Sequence, residues 1–187
     1  MRMGARGWGG VAIAALLCVA FAHFCVRIVP GEEAVSPPVP VDDGALLIPV
    51  EGVPVSALVD TFAQGRAAGA RRHDAIDIMA ARGRAVLAVA DGRINKIFWS
   101  HDGGRTLYLR SRDGRTVYYY AHLDRYADGL REGQGVRRGQ RLASVGSTGN
   151  ADPAAPHLHF AVHAMQPGES WHGGRAVNPY PLLRAAN

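Results

Sequence analysis

From Leu46 onward the chain is written in short runs of alternating apolar and polar residues, broken by Asp-Gly and Gly-Gly pairs. Over residues 106–110, Thr106, Tyr108 and Arg110 alternate with Leu107 and Leu109. Over residues 115–121, Thr116, Tyr118 and Tyr120 alternate with Val117 and Tyr119. A period of two marks half-buried β-strands, and Asp113-Gly114 between these runs predicts a hairpin. Asp91-Gly92, between residues 85–90 and 93–99, predicts another. Residues 135–146 carry glycines at bends and no 3.6-residue stripe. The pattern predicts an all-β domain, an antiparallel β-sandwich or barrel-like fold.

The first 45 residues follow a different rule. Arg2 and Arg6 precede an almost wholly apolar run over residues 11–24, a positive-then-apolar order that reads as a secretory signal. Ala20-Phe21-Ala22 supplies small residues at the spacing of a cleavage site. If retained, residues 11–26 form a short signal anchor, just under spanning length. No lipobox precedes Cys18 or Cys25. Residues 1–29 are therefore expected to be an apolar helix acting as signal peptide or signal anchor. Either reading exports the remainder to the periplasm or cell envelope, with the anchor as a tether to the cytoplasmic membrane. Residues 30–45, with four prolines and four acids, are expected to be a Pro-rich linker. Residues 46–187 are left as the folded domain, of ordinary size.

Charge narrows the function classes. Of the 21 basic residues, Arg2, Arg6 and Arg27 lie in the first thirty, which contain no acid; the rest holds 18 basic against 16 acidic residues. That balance does not fit a nucleic-acid partner. Both cysteines sit in the apolar segment, so the domain has no disulfide framework and no Cys-based zinc site. A transition metal there must be held by histidine and carboxylate.

Two half-sites of that kind are present. In Pro156-His157-Leu158-His159-Phe160, a strand turns both histidines to one face and Leu158 and Phe160 to the core. His73 and Asp77 share a face four residues apart, with Ile76 and Ile78 opposite. His73, Asp77 and one of His157 and His159 make a two-His, one-carboxylate set with a fourth position open, the arrangement of catalytic zinc. The residues alone leave open which of the two histidines ligates. His122, in Tyr120-Ala121-His122-Leu123 and expected at a strand end, is the candidate to handle protons.

His73-x-x-x-Asp77, Tyr120-Ala121-His122-Leu123 and Pro156-His157-Leu158-His159-Phe160, in this order and spacing, resemble the lysostaphin/LytM-type zinc metallopeptidases, metallopeptidase family twenty-three. The likeness spans roughly residues 60–183. It implies a duplicated hybrid motif rich in β-structure, with an open groove and one Zn2+ per domain. It implies that His73, Asp77 and His159 hold the metal. His157 and His122 would face the activated water, as base and as stabiliser of the tetrahedral intermediate. The implied activity is hydrolysis of peptide bonds in peptidoglycan stem peptides or cross-links. The alternative within the same likeness is a non-catalytic LytM-like domain that binds and activates another wall hydrolase, a kind that typically lacks several ligands.

Departures from the family pattern touch the groove rather than the ligands: Ala75 and Ala155 stand where glycine is common, Ala161 where glutamate is frequent, and residues 150–155 differ. His163, in phase with His157 and His159, is expected at the rim. Trp171 is expected to wall the groove or to pack. One of Tyr118 and Tyr120 is expected to line the groove near His122. Gly146-Ser147-Thr148-Gly149 lacks the lysine and helix of a phosphate loop and is expected to be a tight surface loop delivering the chain to His157.

Overall fold

The computed structural model describes residues 46–66 and 71–185. The expected signal or anchor segment (1–29) and linker (30–45) lie outside the described residues. The alternating runs become strands, as the period of two requires. A short ribbon pairs β1 (Gly65–Arg66) with β2 (Arg71–Arg72). The remaining strands form one sheet: β3 (Ile76–Met79), β4 (Ala85–Leu87), β5 (Gly92–Ser100), β6 (Gly104–Ser111), β7 (Thr116–Tyr126), β8 (Gly135–Val136), β9 (Arg141–Val145), β10 (His157–Ala164) and β11 (Arg175–Val177). Its main path runs β11-β10-β7-β6-β5-β8, with β3 beside β10, β9 beside β7 and β4 beside β9. Every pairing is antiparallel. The one α-helix among the described residues, α1 (Pro179–Arg184), starts at Asn178, whose side chain accepts from the Tyr180 N–H, and buries Leu183. The architecture is the all-β one expected.

Of the two turn signals, one holds and the other does not. β6 and β7 form the expected hairpin, with Asp113 accepting from the Arg115 N–H and the Ser111 hydroxyl. Asp91-Gly92 turns no hairpin: β4 pairs with β9, and β5 turns into β6 through His101-Asp102-Gly103. Gly92 has a different reason to be glycine. A Cβ there would overlap the Arg110 carbonyl oxygen on the neighbouring strand.

One face of the sheet carries the core. Ile76, Ile94, Leu107, Leu109, Tyr120, Leu123, Leu158 and Phe160 are fully buried, each contributing on the order of 1.5–3 kcal/mol. Leu158 and Phe160 hold β10 in register, since a slip of one residue would exchange them with His157 and His159.

The longest strand, β7, is shared between two partners on one edge. Residues 116–121 pair with β10, and residues 123–126 pair with β9. His122 lies at the change of partner with φ +59°, so it is inside β7 and not at the strand end expected of it. The left-handed backbone is costly for a residue with a Cβ. Its effect is to break the alternation of faces. By parity His122 would follow Tyr118 and Tyr120 into the core; the kink turns it to the opposite face, with Tyr119 and Ala121.

Candidate active site

Register brings the two half-sites together. Asp77 lies opposite His159 across β3 and β10, and His159 lies opposite Ala121 across β10 and β7. His73 enters just before β3. The result is a triangle: His73 Nε2 to His159 Nδ1, His73 Nε2 to Asp77 Oδ1, and His159 Nδ1 to Asp77 Oδ1 each measure 3.2 Å. The edge of a tetrahedron of ligands at zinc distances is about 3.3 Å. These three residues form a group able to hold a metal ion.

The chemistry of the three atoms fits a cation. His73 Nδ1 donates to the Thr61 carbonyl at 2.9 Å, which leaves Nε2 as a lone pair in the neutral ring. Asp77 is held well below the ordinary carboxylate range: burial opposes this, and the close imidazoles of His159 and His73 outweigh it. Burial pushes His159 down, against the pull of Asp77. Two ring nitrogens and a carboxylate oxygen thus converge within a space that a single small cation would satisfy. Thr61 supports the arrangement twice, since its hydroxyl also accepts the Asp77 N–H at 3.0 Å. No sequence pattern points to Thr61.

His157 and His122 stand beside this triangle. His157 Nε2 is 3.8 Å from Asp77 Oδ1, and the His157 and His122 ring centres are 4.9 Å apart. Each ring spends its Nδ1 proton on a carbonyl: His157 donates to Ala155 at 2.9 Å and His122 to Thr148 at 2.8 Å. A carbonyl oxygen only accepts, so both Nε2 atoms are left as bases. Burial lowers the His122 pKa to about 4, and neighbouring His159 and His157 add to the effect.

The loop holding His122 is more than a connector. Thr148 gives its carbonyl to His122, its hydroxyl donates to the Leu123 carbonyl, and it accepts the Arg105 N–H. Gly103 and Gly104 approach Gly149 so closely that a Cβ on Gly149, whose φ is +77°, would overlap the Asp102 carbonyl and the Gly104 nitrogen. The expectation of a loop that merely delivers the chain understates its part.

The cavity above these groups measures about 740 Å³ and runs along β10 past Ala161 to His163. Arg72, Asp74, Asn150, Ala151, Asp152 and His163 also line it, and His163 stays outside the metal triangle. The tyrosine expectation fails. Tyr118 and Tyr120 are buried in the core, and Tyr119 and Tyr108 line the cavity, because the kink at His122 puts it on the odd-numbered face of β7. Trp171 leans against Tyr108 and Phe98 at 4.9 and 5.3 Å.

Comparison with known proteins agrees with this arrangement. The chain is 34% identical over 131 residues to the L-Ala–D-Glu endopeptidase of Bacillus subtilis, covering 67% of this chain and 39% of that protein. It is 31% identical over 135 residues to the murein hydrolase activator NlpD of Escherichia coli, covering 72% of this chain and 30% of that protein. The chain thus spans well under half the length of either relative. Its fold matches the catalytic domain of the antimicrobial peptidase lysostaphin from Staphylococcus simulans with a TM-score of 0.56 and 29% identity, over 68% of this chain and 91% of that one. The sequence profile of Peptidase family M23 matches residues 71–179, more than half of the chain. The chain belongs to peptidase family M23.

Proposed function

We propose that this protein is a zinc-dependent endopeptidase that hydrolyses peptide bonds in the stem peptides or cross-links of peptidoglycan. The observation that carries the reading is the intact triangle of His73, Asp77 and His159 with two oriented histidine bases beside it. His73 Nε2, Asp77 Oδ1 and His159 Nδ1 would hold one Zn2+. When bound, zinc supplies a Lewis acid that polarises a carbonyl and lowers the pKa of water towards about 7.

The residues of the chain do the rest. His157 and His122, each with Nδ1–H tied to a carbonyl, present Nε2 to the cavity, where one accepts a proton from the attacking water. The same nitrogen, once protonated, can return that proton to the leaving amine. The other Nε2, when it carries a proton, can donate to the oxygen that gains charge. The low pKa of His122 keeps it neutral in the resting site, so its Nε2 is an acceptor there and donates only once it has taken a proton. Thr61 and Thr148 orient the groups without touching substrate. Residues 1–29 would export the domain to the periplasm or cell envelope; fractionation with N-terminal sequencing checks this.

The similarity to NlpD favours a second reading, a non-catalytic domain that activates another wall hydrolase. The two readings differ in what the purified protein does. The zinc-loaded protein is expected to release soluble muropeptides from sacculi and to carry one zinc per chain. Release by His159→Ala at the wild-type rate would remove the zinc mechanism. A chain without zinc or release that stimulates a second hydrolase would establish the activator.

A further inference from the structure

One flank of the cavity is unused by the hydrolytic residues. An aromatic ladder leads away from His159 across the sheet. Tyr119 stands edge-on to His159 at 5.9 Å, and Tyr108 follows 4.6 Å beyond it. Phe98 and Trp171 lie 6.0 and 4.9 Å from Tyr108 and 5.3 Å from each other. Register builds this row, since Ala161, Tyr119, Tyr108 and Lys96 are successive partners across β10, β7, β6 and β5. With strands about 4.8 Å apart, Tyr108 stands about 10 Å from β10.

These four rings are not core. Each is partly exposed, whereas Tyr118, Tyr120 and Phe160 on the other face are fully buried. Tyr108 and Tyr119 line the same cavity as His157 and His159, together with Asp102 and Asn150. Gly103 sits against the Tyr119 hydroxyl, and the Asn150 N–H donates to the Asp102 carbonyl at 3.0 Å. Asp102 and Asn150 thus line the cavity beside a platform of partly exposed rings. That combination suits a pyranose ring, whose C–H face packs on aromatic faces while its hydroxyls bond to planar polar groups.

The stem peptides of peptidoglycan offer no competing occupant. They consist of alanine, glutamate and a diamino acid, small or charged residues without a large apolar side chain. What they do carry is an N-acetylated sugar at the lactyl end. Resting on the peptidase reading above, we propose that Tyr108 and Trp171, backed by Tyr119 and Phe98, form a subsite for the sugar of the glycan strand. An extended peptide advances about 3.3–3.6 Å per residue. A sugar about 10 Å from β10 is reached through the lactyl link and one or two residues. The subsite thus directs cleavage to the first or second bond of the stem, on the sugar side, and away from cross-links.

Two measurements on the full-length zinc-loaded protein test this. In the first, isotope-labelled protein is titrated with the peptide-free disaccharide N-acetylglucosaminyl-N-acetylmuramic acid. The Trp171 indole N–H, identified by its loss in Trp171→Phe, is expected to shift saturably, and Trp171→Ala to weaken binding on the order of tenfold. In the second, kcat/KM is compared for a disaccharide-linked stem peptide and the same peptide without sugar. The ratio is expected to favour the sugar-linked substrate on the order of tenfold and to fall towards one in Trp171→Ala. No saturable shift, or a ratio of one in the wild type, overturns the subsite. Disaccharide binding without hydrolysis of either substrate retains the subsite and removes the peptidase reading.

Discussion

Asp77 and His159 are direct partners across the β3–β10 ladder, with Oδ1 and Nδ1 3.2 Å apart. The pair depends on main-chain register, so removing either side chain should empty the metal site and leave the strands paired. Asp77→Ala and His159→Ala are each expected to lower zinc from one per chain to near none and activity by more than about a thousandfold. Metal analysis beside far-ultraviolet circular dichroism reads both effects. Full zinc content in either variant would refute the triangle.

Thr61 acts on the site through His73 and Asp77, and the two contacts can be separated. Thr61→Val keeps the carbonyl that receives His73 Nδ1 and deletes the hydroxyl that receives the Asp77 N–H. The expected cost is about 10–100-fold in zinc affinity, measured by competition with a chelator of known strength. Thr61→Ser should restore it.

At His122 the backbone and the side chain make opposite demands. Its φ of +59° favours glycine, while its imidazole is needed in the cavity. His122→Gly and His122→Ala should both lose about 10²–10⁴ in kcat with zinc retained. The glycine variant should nevertheless be the more stable of the two, by about 1 kcal/mol. Equal urea midpoints would mean that the kink carries no strain.

The low pKa of His122 also has a sign in stability. The folded protein resists protonation down to about 4, while the unfolded chain takes the proton near 6.5. Between those values the unfolded state binds more protons, so stability falls as pH drops through the window. One such group contributes a slope of up to about 1.4 kcal/mol per pH unit. Zinc-free His122→Asn, whose side chain tolerates the left-handed backbone, should show a shallower loss of melting temperature from pH 7 to pH 4.5 than the zinc-free wild type.

Much of the site is legible in the sequence because its residues obey strand parity. His157 and His159 share a face, and Leu158 and Phe160 mark the buried side; His73 lies ahead of β3, outside any strand, so its meeting with Asp77 comes from the connecting turn and not from the shared strand face expected of the pair. The motif finds His122 but misplaces it at a strand end, and parity assigns the groove tyrosine to the wrong face. Both errors have one cause. A single left-handed residue inside β7 reverses the alternation, and an ordinary histidine carries no mark of it. Thr61 is invisible for another reason, since half of its contribution is a main-chain carbonyl that any residue owns. Asp91-Gly92 misleads because close strand approach and a tight turn call for the same residue.

The glycine contacts between Gly103, Gly104 and Gly149 divide the groove into banks of unequal freedom. On that bank a Cβ at Gly104 or Gly149 would collide with backbone, and one at Gly103 with the Tyr119 hydroxyl and the Thr106 side chain. Substitution there displaces the Thr148 carbonyl and, with it, His122. On the loop that carries Trp171, a methyl group at Gly173 would meet only ordinary contacts, while Gly168 (φ +83°) and Gly174 (φ +90°) are held by left-handed backbone and Gly174 also by the close Met165 sulfur and Ala164 carbonyl. Freedom to change therefore differs by position: Gly173 can take a side chain, while the bank that orients His122 through Thr148 stays constant.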